Sequence, residues 1–269
     1  MPSIQVNGVD LSYEVTGDGP PVVLTHGSWG DRRGWAAVVP GLAESFRVVT
    51  WDRRGHGESG DLPGRGTRTQ DAADLAGLIE GLGIGPVHAV GNSFGGSITL
   101  ELASRRPELL RSIAVHEPPV FGVLAGSEDG GLSVYRERIG PVVERLAAGE
   151  MEAGAALFVD SVVGQPGNWG RMSPEAQAAM TRLAPTFLDE NLDPGMTELD
   201  LDPLKAFQQP TLLSYGDTSP GYFAAVVLRI ARVLPDGRVL VFAGAGHVPH
   251  RSHPDAYVDA LTGFMQALA

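Results

Sequence analysis

Eight short apolar runs of β type, separated by segments of helical spacing, leave this chain few folds to adopt. The runs are Ile4–Asn7, Leu11–Val15, Pro21–Thr25, Phe46–Trp51, Val87–Val90, Ser112–Val115, Thr211–Ser214 and Val239–Phe242. Between them, Leu75, Leu78, Ile79 and Leu82 fall at i, i+3, i+4 and i+7, one apolar stripe of a helix. Phe94–Arg105, Tyr222–Leu234 and Asp255–Leu268 read as further helices. Strand and helix in regular succession predict an α/β architecture, a mostly parallel sheet covered by helices on both faces. The first two runs, joined across Gly8-Val9-Asp10, suit an antiparallel hairpin at its edge.

The rhythm breaks after Glu117. Helical patterns over Leu132–Ala148, Glu150–Val163 and Pro174–Leu188 follow with no convincing strand, punctuated by Pro118-Pro119, Gly164–Gly167 and Pro194-Gly195. Residues 118–208 therefore read as a helical cap inserted into a core made of 1–117 and 209–269, with Gly126–Gly131 as a flexible joint. At 269 residues the chain is long enough for one full-sized core.

Composition removes several chemistries. With no cysteine there are no disulfides, thiolate nucleophiles or iron–sulfur ligands, and no His/Asp cluster has metal-ligand spacing. Lys205 is the only lysine and lies in a polar stretch, which disfavours Schiff-base chemistry. A formal charge of −12 opposes nucleic acid and anionic membrane surfaces. No apolar run approaches a membrane span and the first residues lack a leader pattern, so a soluble cytoplasmic protein is expected.

The sharpest motif is Gly91-Asn92-Ser93-Phe94-Gly95-Gly96, a G-x-S-x-G that follows a β run and opens a helix. So tight a turn strains the central residue and leaves no room for side chains two positions away, and it thrusts Ser93 out as a nucleophile. Late in the chain, His247 follows a β run and the small residues Gly244-Ala245-Gly246, which makes it the candidate base; His250 and His253 lie close by. Gly55-His56-Gly57-Glu58-Ser59-Gly60 matches G-x-G-x-x-G, but the proline and glycines that follow forbid the helix a dinucleotide site needs, and a bracing turn is the better reading.

Together with His26-Gly27-Ser28-Trp29-Gly30 after the third run and Asp52-Arg53-Arg54-Gly55-His56-Gly57-Glu58-Ser59 after the fourth, these motifs resemble those of the α/β-hydrolase fold family along nearly the whole chain. The resemblance implies an eight-stranded α/β-hydrolase fold with a helical cap after the sixth strand. It also implies an oxyanion hole built from the backbone N–H groups of Ser28 and Phe94, with His26 as a loop brace. No cofactor or metal is implied.

The triad acid departs from the family pattern. Most relatives carry an aspartate three residues after the glycine that ends the seventh strand; here that glycine is Gly216 and the position holds Ser219. Two carboxylates remain open: Asp217, which reaches His247 only if the loop is rebuilt and otherwise forms a turn, and Glu117 at the end of the sixth run, held by Pro118-Pro119. A Ser–His–acid set favours acyl transfer on a small to medium apolar ester or lactone. Candidate substrate contacts are Trp29, Phe121, Leu124, Phe158 and Trp169, each also a natural core residue. Arg136, Arg138, Arg171 and Arg182 are candidates for a substrate carboxylate or for solvated helix faces. The same triad would also serve C–C bond hydrolysis or perhydrolysis. A non-catalytic small-molecule binder is the reading from another class.

Overall fold

Parallel strands buried on both faces need apolar residues at every position, and the central runs of this chain supply them. The computed structural model describes residues 2–61, 66–126, 131–163 and 166–268. Its strands are β1 (Ser3–Val6), β2 (Val9–Thr16), β3 (Pro21–Thr25), β4 (Arg47–Trp51), β5 (Val87–Asn92), β6 (Leu110–His116), β7 (Thr211–Gly216) and β8 (Gly237–Phe242). They form one eight-stranded sheet in the order β1-β2-β4-β3-β5-β6-β7-β8, antiparallel where β1 meets β2 and β2 meets β4, and parallel elsewhere. The hairpin at the edge turns on Asn7-Gly8, both at positive φ (48° and 82°), rather than on Gly8-Val9-Asp10. A two-residue Asn-Gly turn has the twist that β1 and β2 require.

The helices are α1 (Val39–Ala43), α2 (Arg68–Gly81), α3 (Phe94–Arg105), α4 (Gly131–Ala147), α5 (Met151–Phe158), α6 (Pro174–Leu192), α7 (Gly221–Ala231), α8 (Pro249–Ser252) and α9 (Pro254–Gln266). The period of two along each strand sorts side chains between two cores. Val23, Val49, Ala89, Ile113 and Leu213 meet Leu75, Leu78 and Ile79 of α2, Ile98 and Leu102 of α3 and Val226 and Ile230 of α7. Their neighbours Val22, Val48, Val90, Ala114 and Leu212 face Leu42 of α1 and Tyr257, Leu261 and Phe264 of α9.

Between β6 and β7 the described chain is helical. α4, α5 and α6 pack on one another around Ile139, Val142, Leu146, Ala184 and Phe187, a small core of their own. The helix expected over Glu150–Val163 ends as α5 at Phe158 and loosens into a π-turn over Val159–Val163. Of the expected joint Gly126–Gly131, residues 127–130 lie outside the described ones, as do 164 and 165 of the breaker Gly164–Gly167.

Strand order reverses around β3, whose neighbours are β4 and β5. In an open parallel sheet the crevice at the C-terminal ends of such strands is where ligands sit. Loops carrying Ser28, Ser93, Glu117 and His247 all leave the C-terminal ends of β3, β5, β6 and β8 there. The turn after β4 braces that end: Asp52 accepts the Arg32 and Glu58 N–H groups at 2.7 and 2.9 Å, and Arg54 pairs twice with Asp74 at 2.7 and 2.8 Å. No helix runs through the described part of the Gly55–Gly60 segment, which is a turn as expected. No described helix is long and apolar enough to cross a membrane.

Candidate active site

Ser93 sits between β5 and α3 with φ 56° and ψ −126°, a conformation that costs an L-residue on the order of 1–3 kcal/mol. Its neighbours show why both flanking glycines are needed. A Cβ on Gly91 would lie 2.2 Å from the Gly95 carbonyl oxygen, and one on Gly95 would lie 2.2 Å from the Thr25 carbonyl oxygen. The elbow is thus wedged against β3, half-exposed at its tip, and tied to the next strand by the Ser93 N–H, which donates to the His116 carbonyl at 2.9 Å.

That carbonyl belongs to the residue before Glu117. Glu117 is fully buried and also left-handed (φ 44°), a strained geometry that turns its side chain back across the sheet end. One carboxylate oxygen accepts the Gly216 N–H at 2.8 Å and the other meets His247 Nδ1 at 2.6 Å. Burial works to raise the Glu117 carboxyl, but the His247 hydrogen bond and charge, helped by His116 and the Ser219 hydroxyl, hold it below the ordinary glutamate value. The imidazole is one-third exposed and stacks on Phe223 of α7, with ring centres 4.8 Å apart.

Asp217, the other candidate acid, is engaged elsewhere. Its carboxylate accepts the Gly244 N–H at 2.7 Å, so it pins the loop that carries His247 and leaves the ring to Glu117. This is a tertiary bond to a loop 27 residues on, in place of the local turn bond expected of a short acidic side chain. His116, which no sequence pattern singles out, supports the same loop: Nε2–H donates to the Gly246 carbonyl at 3.3 Å while Nδ1 accepts from Ser214 at 3.0 Å. Burial drives its pKa down to about 4.

On the β3 side, His26 donates through Nδ1 to the Gly27 carbonyl at 2.8 Å and accepts the Arg53 N–H at Nε2, 3.1 Å away. Burial, with the Arg53 charge, lowers it to about 3, so it stays neutral and braces the loop. The loop holds Ser28 and Trp29 at the edge of the crevice, Trp29 with φ 58°. Ser28 Oγ–H donates to Glu190 of α6 at 2.5 Å. Glu190 is a buried carboxylate that sequence reasoning missed, because a lone acidic residue in an amphipathic helix looks like a solvated one.

The expected substrate contacts divide. Trp29 and Phe158 stack at 4.9 Å and both pack on Phe187, so the loop after β3 and the inserted helices share one aromatic cluster. Phe121 and Leu124 are buried core residues; Phe121 packs on Tyr135, Tyr222 and Phe223, one ring removed from His247. Trp169 is half-buried, its backbone N–H donating to Asp160, and no ring contact ties it to the others. Arg136, Arg138, Arg171 and Arg182 are exposed. His250 is buried against Trp35 rather than solvated, and His253 begins α9 without a side-chain capping bond. Among the described residues no group of three His, Asp or Glu converges as a metal would require.

These features agree with known proteins. A model of the alpha/beta hydrolase family matches residues 22–260. The chain is 27% identical to 2-(acetamidomethylene)succinate hydrolase of Mesorhizobium japonicum, covering 98% of this chain and 94% of that protein. An alpha/beta hydrolase from Sphaerobacter thermophilus superposes with a TM-score of 0.79 at 26% identity, over 98% of this chain and all of that one. A thermophilic esterase from Thermogutta terrifontis does so at 0.75 and 26%, over 100% and 99%. An eight-stranded sheet with a strained serine turn at its crevice, matched by the family model over most of its length, makes this chain a member of the alpha/beta hydrolase family.

Proposed function

We propose that this hydrolase is a cofactor-independent serine enzyme that cleaves a small to medium apolar carboxylic ester or lactone through an acyl-enzyme on Ser93. The observation that carries the reading is the 2.6 Å contact between Glu117 and His247 Nδ1, made at the same sheet end as the strained Ser93. With Nδ1–H given to the carboxylate, Nε2 is the lone-pair nitrogen and can take the Ser93 proton as Oγ attacks a carbonyl carbon. The backbone N–H groups of Ser28 and Phe94 would receive the oxyanion, a contribution of several kcal/mol to such a barrier. His247 then protonates the leaving alkoxide, and water, with His247 again as base, releases the acid.

Residues 118–208 serve in this reading as the cap, presenting Phe158 and Phe187 to Trp29 of the loop after β3. An apolar wall there suits an apolar acyl group and keeps bulk water away. The Thermogutta terrifontis relative is itself described as an esterase, which accords with this class. A binder without catalysis would be favoured if no carboxylate met His247; the Glu117 contact supports the catalytic reading instead. Labelling by a fluorophosphonate probe, with mass-spectrometric location of the adduct, tests the proposal. An adduct on Ser93 and turnover of p-nitrophenyl butyrate are expected; a protein inert to both contradicts it.

A further inference from the structure

Two residues flank the place where an oxyanion would form, and both are held by one buried ion pair. Glu190, in the last turn of α6, accepts the Ser28 hydroxyl with one oxygen and lies 2.8 Å from Arg53 Nη2 with the other. The Arg53 guanidinium also pairs with Asp71 of α2 at 2.7 Å, and it lies over the Phe94 ring at 4.6 Å from the centroid. Glu190 and Arg53 are each no more than 3% exposed. Ser28 is thus fixed through its hydroxyl and Phe94 through its ring, while their backbone N–H groups remain unused by either contact.

Buried ion pairs of this kind are poor sources of stability, because desolvation consumes most of the attraction. Their geometry is what they fix well, since a carboxylate between a hydroxyl and a guanidinium has little freedom. The acidic partner comes from the inserted helices, 162 residues after Ser28, and the basic partner from the sheet domain. We propose that Glu190 and Arg53 are a positioning pair for the oxyanion hole, which makes the hole correctly spaced only while α6 is seated on the sheet. This rests on the serine-hydrolase reading above. Neither residue touches the reacting atoms; they act through Ser28 and Phe94. Donors displaced by even about 1 Å lose much of their effect on a developing charge.

The test uses the full chain, p-nitrophenyl butyrate as substrate and butylboronic acid as a mimic of the tetrahedral adduct. Ser28→Ala keeps the backbone N–H and removes only the hydroxyl; Glu190→Ala removes the acceptor. Each should lower kcat by about 10²-fold with KM within threefold, and weaken boronic acid inhibition by the same factor. The double variant should be little worse than either single one, since both break one contact. Glu190→Gln retains an acceptor for Ser28 but turns its amide N–H toward Arg53, so it should recover only part of the loss. If Glu190→Ala does not fold, Ser28→Ala and Glu190→Gln carry the comparison. An active wild type whose folded Ser28→Ala and Glu190 variants keep kcat and boronic acid affinity within threefold overturns this proposal alone. A wild type inert to ester and fluorophosphonate overturns the underlying reading, and this one with it.

Discussion

Replacing Glu117 by glutamine changes one atom and reverses the logic of the site. In the wild type, the carboxylate takes Nδ1–H of His247 at 2.6 Å and the Gly216 N–H at 2.8 Å, and no other part of it meets water. Glutamine can keep its oxygen on Gly216, but its amide then presents N–H to Nδ1. The ring must accept there, so its proton moves to Nε2, the nitrogen that the proposed mechanism uses as base toward Ser93. Two estimates bound the loss. An imidazolium and a carboxylate about 4 Å between charge centres attract by about 4 kcal/mol at an effective dielectric of about 20. The equivalent amide swap in serine proteases costs about 10⁴ in kcat, or about 5 kcal/mol at 1.36 kcal/mol per decade. Glu117→Gln should therefore lower kcat for p-nitrophenyl butyrate by about 10³- to 10⁴-fold while the melting temperature moves little. Asp217→Asn, which retains an acceptor for the Gly244 N–H, should stay within about threefold. A Glu117→Gln enzyme within tenfold of wild type, or an equal loss from Asp217→Asn, would refute the assignment.

Other consequences follow from strain, crowding and buried charge. Ser93→Gly should abolish fluorophosphonate labelling yet raise the unfolding free energy by about 1–2 kcal/mol in urea titrations, because glycine adopts φ 56°, ψ −126° without penalty; a destabilised variant would deny the strain. Gly95→Ala should leave little soluble folded protein, since its Cβ would fall 2.2 Å from the Thr25 carbonyl oxygen, and normal expression with wild-type melting would count against the packing described. Five of the seven histidines, His26, His56, His88, His116 and His250, are buried, and burial lowers all five, His26 and His250 to about 3 and His88 and His116 to about 4. Folded pKa values below the unfolded 6.5 mean that this stability is complete above pH 6.5 and drains away as pH falls toward 4, by about 1.4 kcal/mol per pH unit for each histidine. Urea midpoints should be level from pH 7 to 8 and much lower at pH 5; equal midpoints at pH 5 and 7.5 would contradict it.

How far the sequence could be read depended on whether a residue's role was local. The central strands announce themselves because both their faces are buried, and Ser93 because its turn demands glycine on either side within five residues. The carboxylate that meets His247 was legible only as a choice between Glu117 and Asp217, since telling them apart needs the ends of β6 and β7 side by side. Glu190 left no trace at all: its burial depends on α6 lying against a loop 162 residues earlier. Phe223 was hidden in a helix whose apolar residues all look like core, although one of them supports the His247 ring.

The contact of Glu117 with His247 also explains the loops around it. β7 ends at Gly216, and its N–H, in place of a carboxylate side chain from its loop, is what that strand offers the site. A Cβ on Gly216 would fall 2.2 Å from the Ala245 carbonyl oxygen, so this turn is pressed directly onto the segment that carries His247. Asp217 holds that segment at Gly244 and His116 holds it at Gly246, one contact on each side of Ala245. A carboxylate on β6 needs a longer side chain to cross to the ring, and it needs a turned-back backbone, which Glu117 has at φ 44°. It also needs its second oxygen occupied, because a buried carboxylate with a free lone pair would be costly. Gly216 meets that need. Ser219 stands where the family resemblance places the aspartate, close to Gly246. If the frame is indifferent to which strand supplies the charge, Glu117→Gln combined with Ser219→Asp should regain at least tenfold of the activity lost by Glu117→Gln alone. No recovery in a folded double variant would mean that the frame has closed around β6.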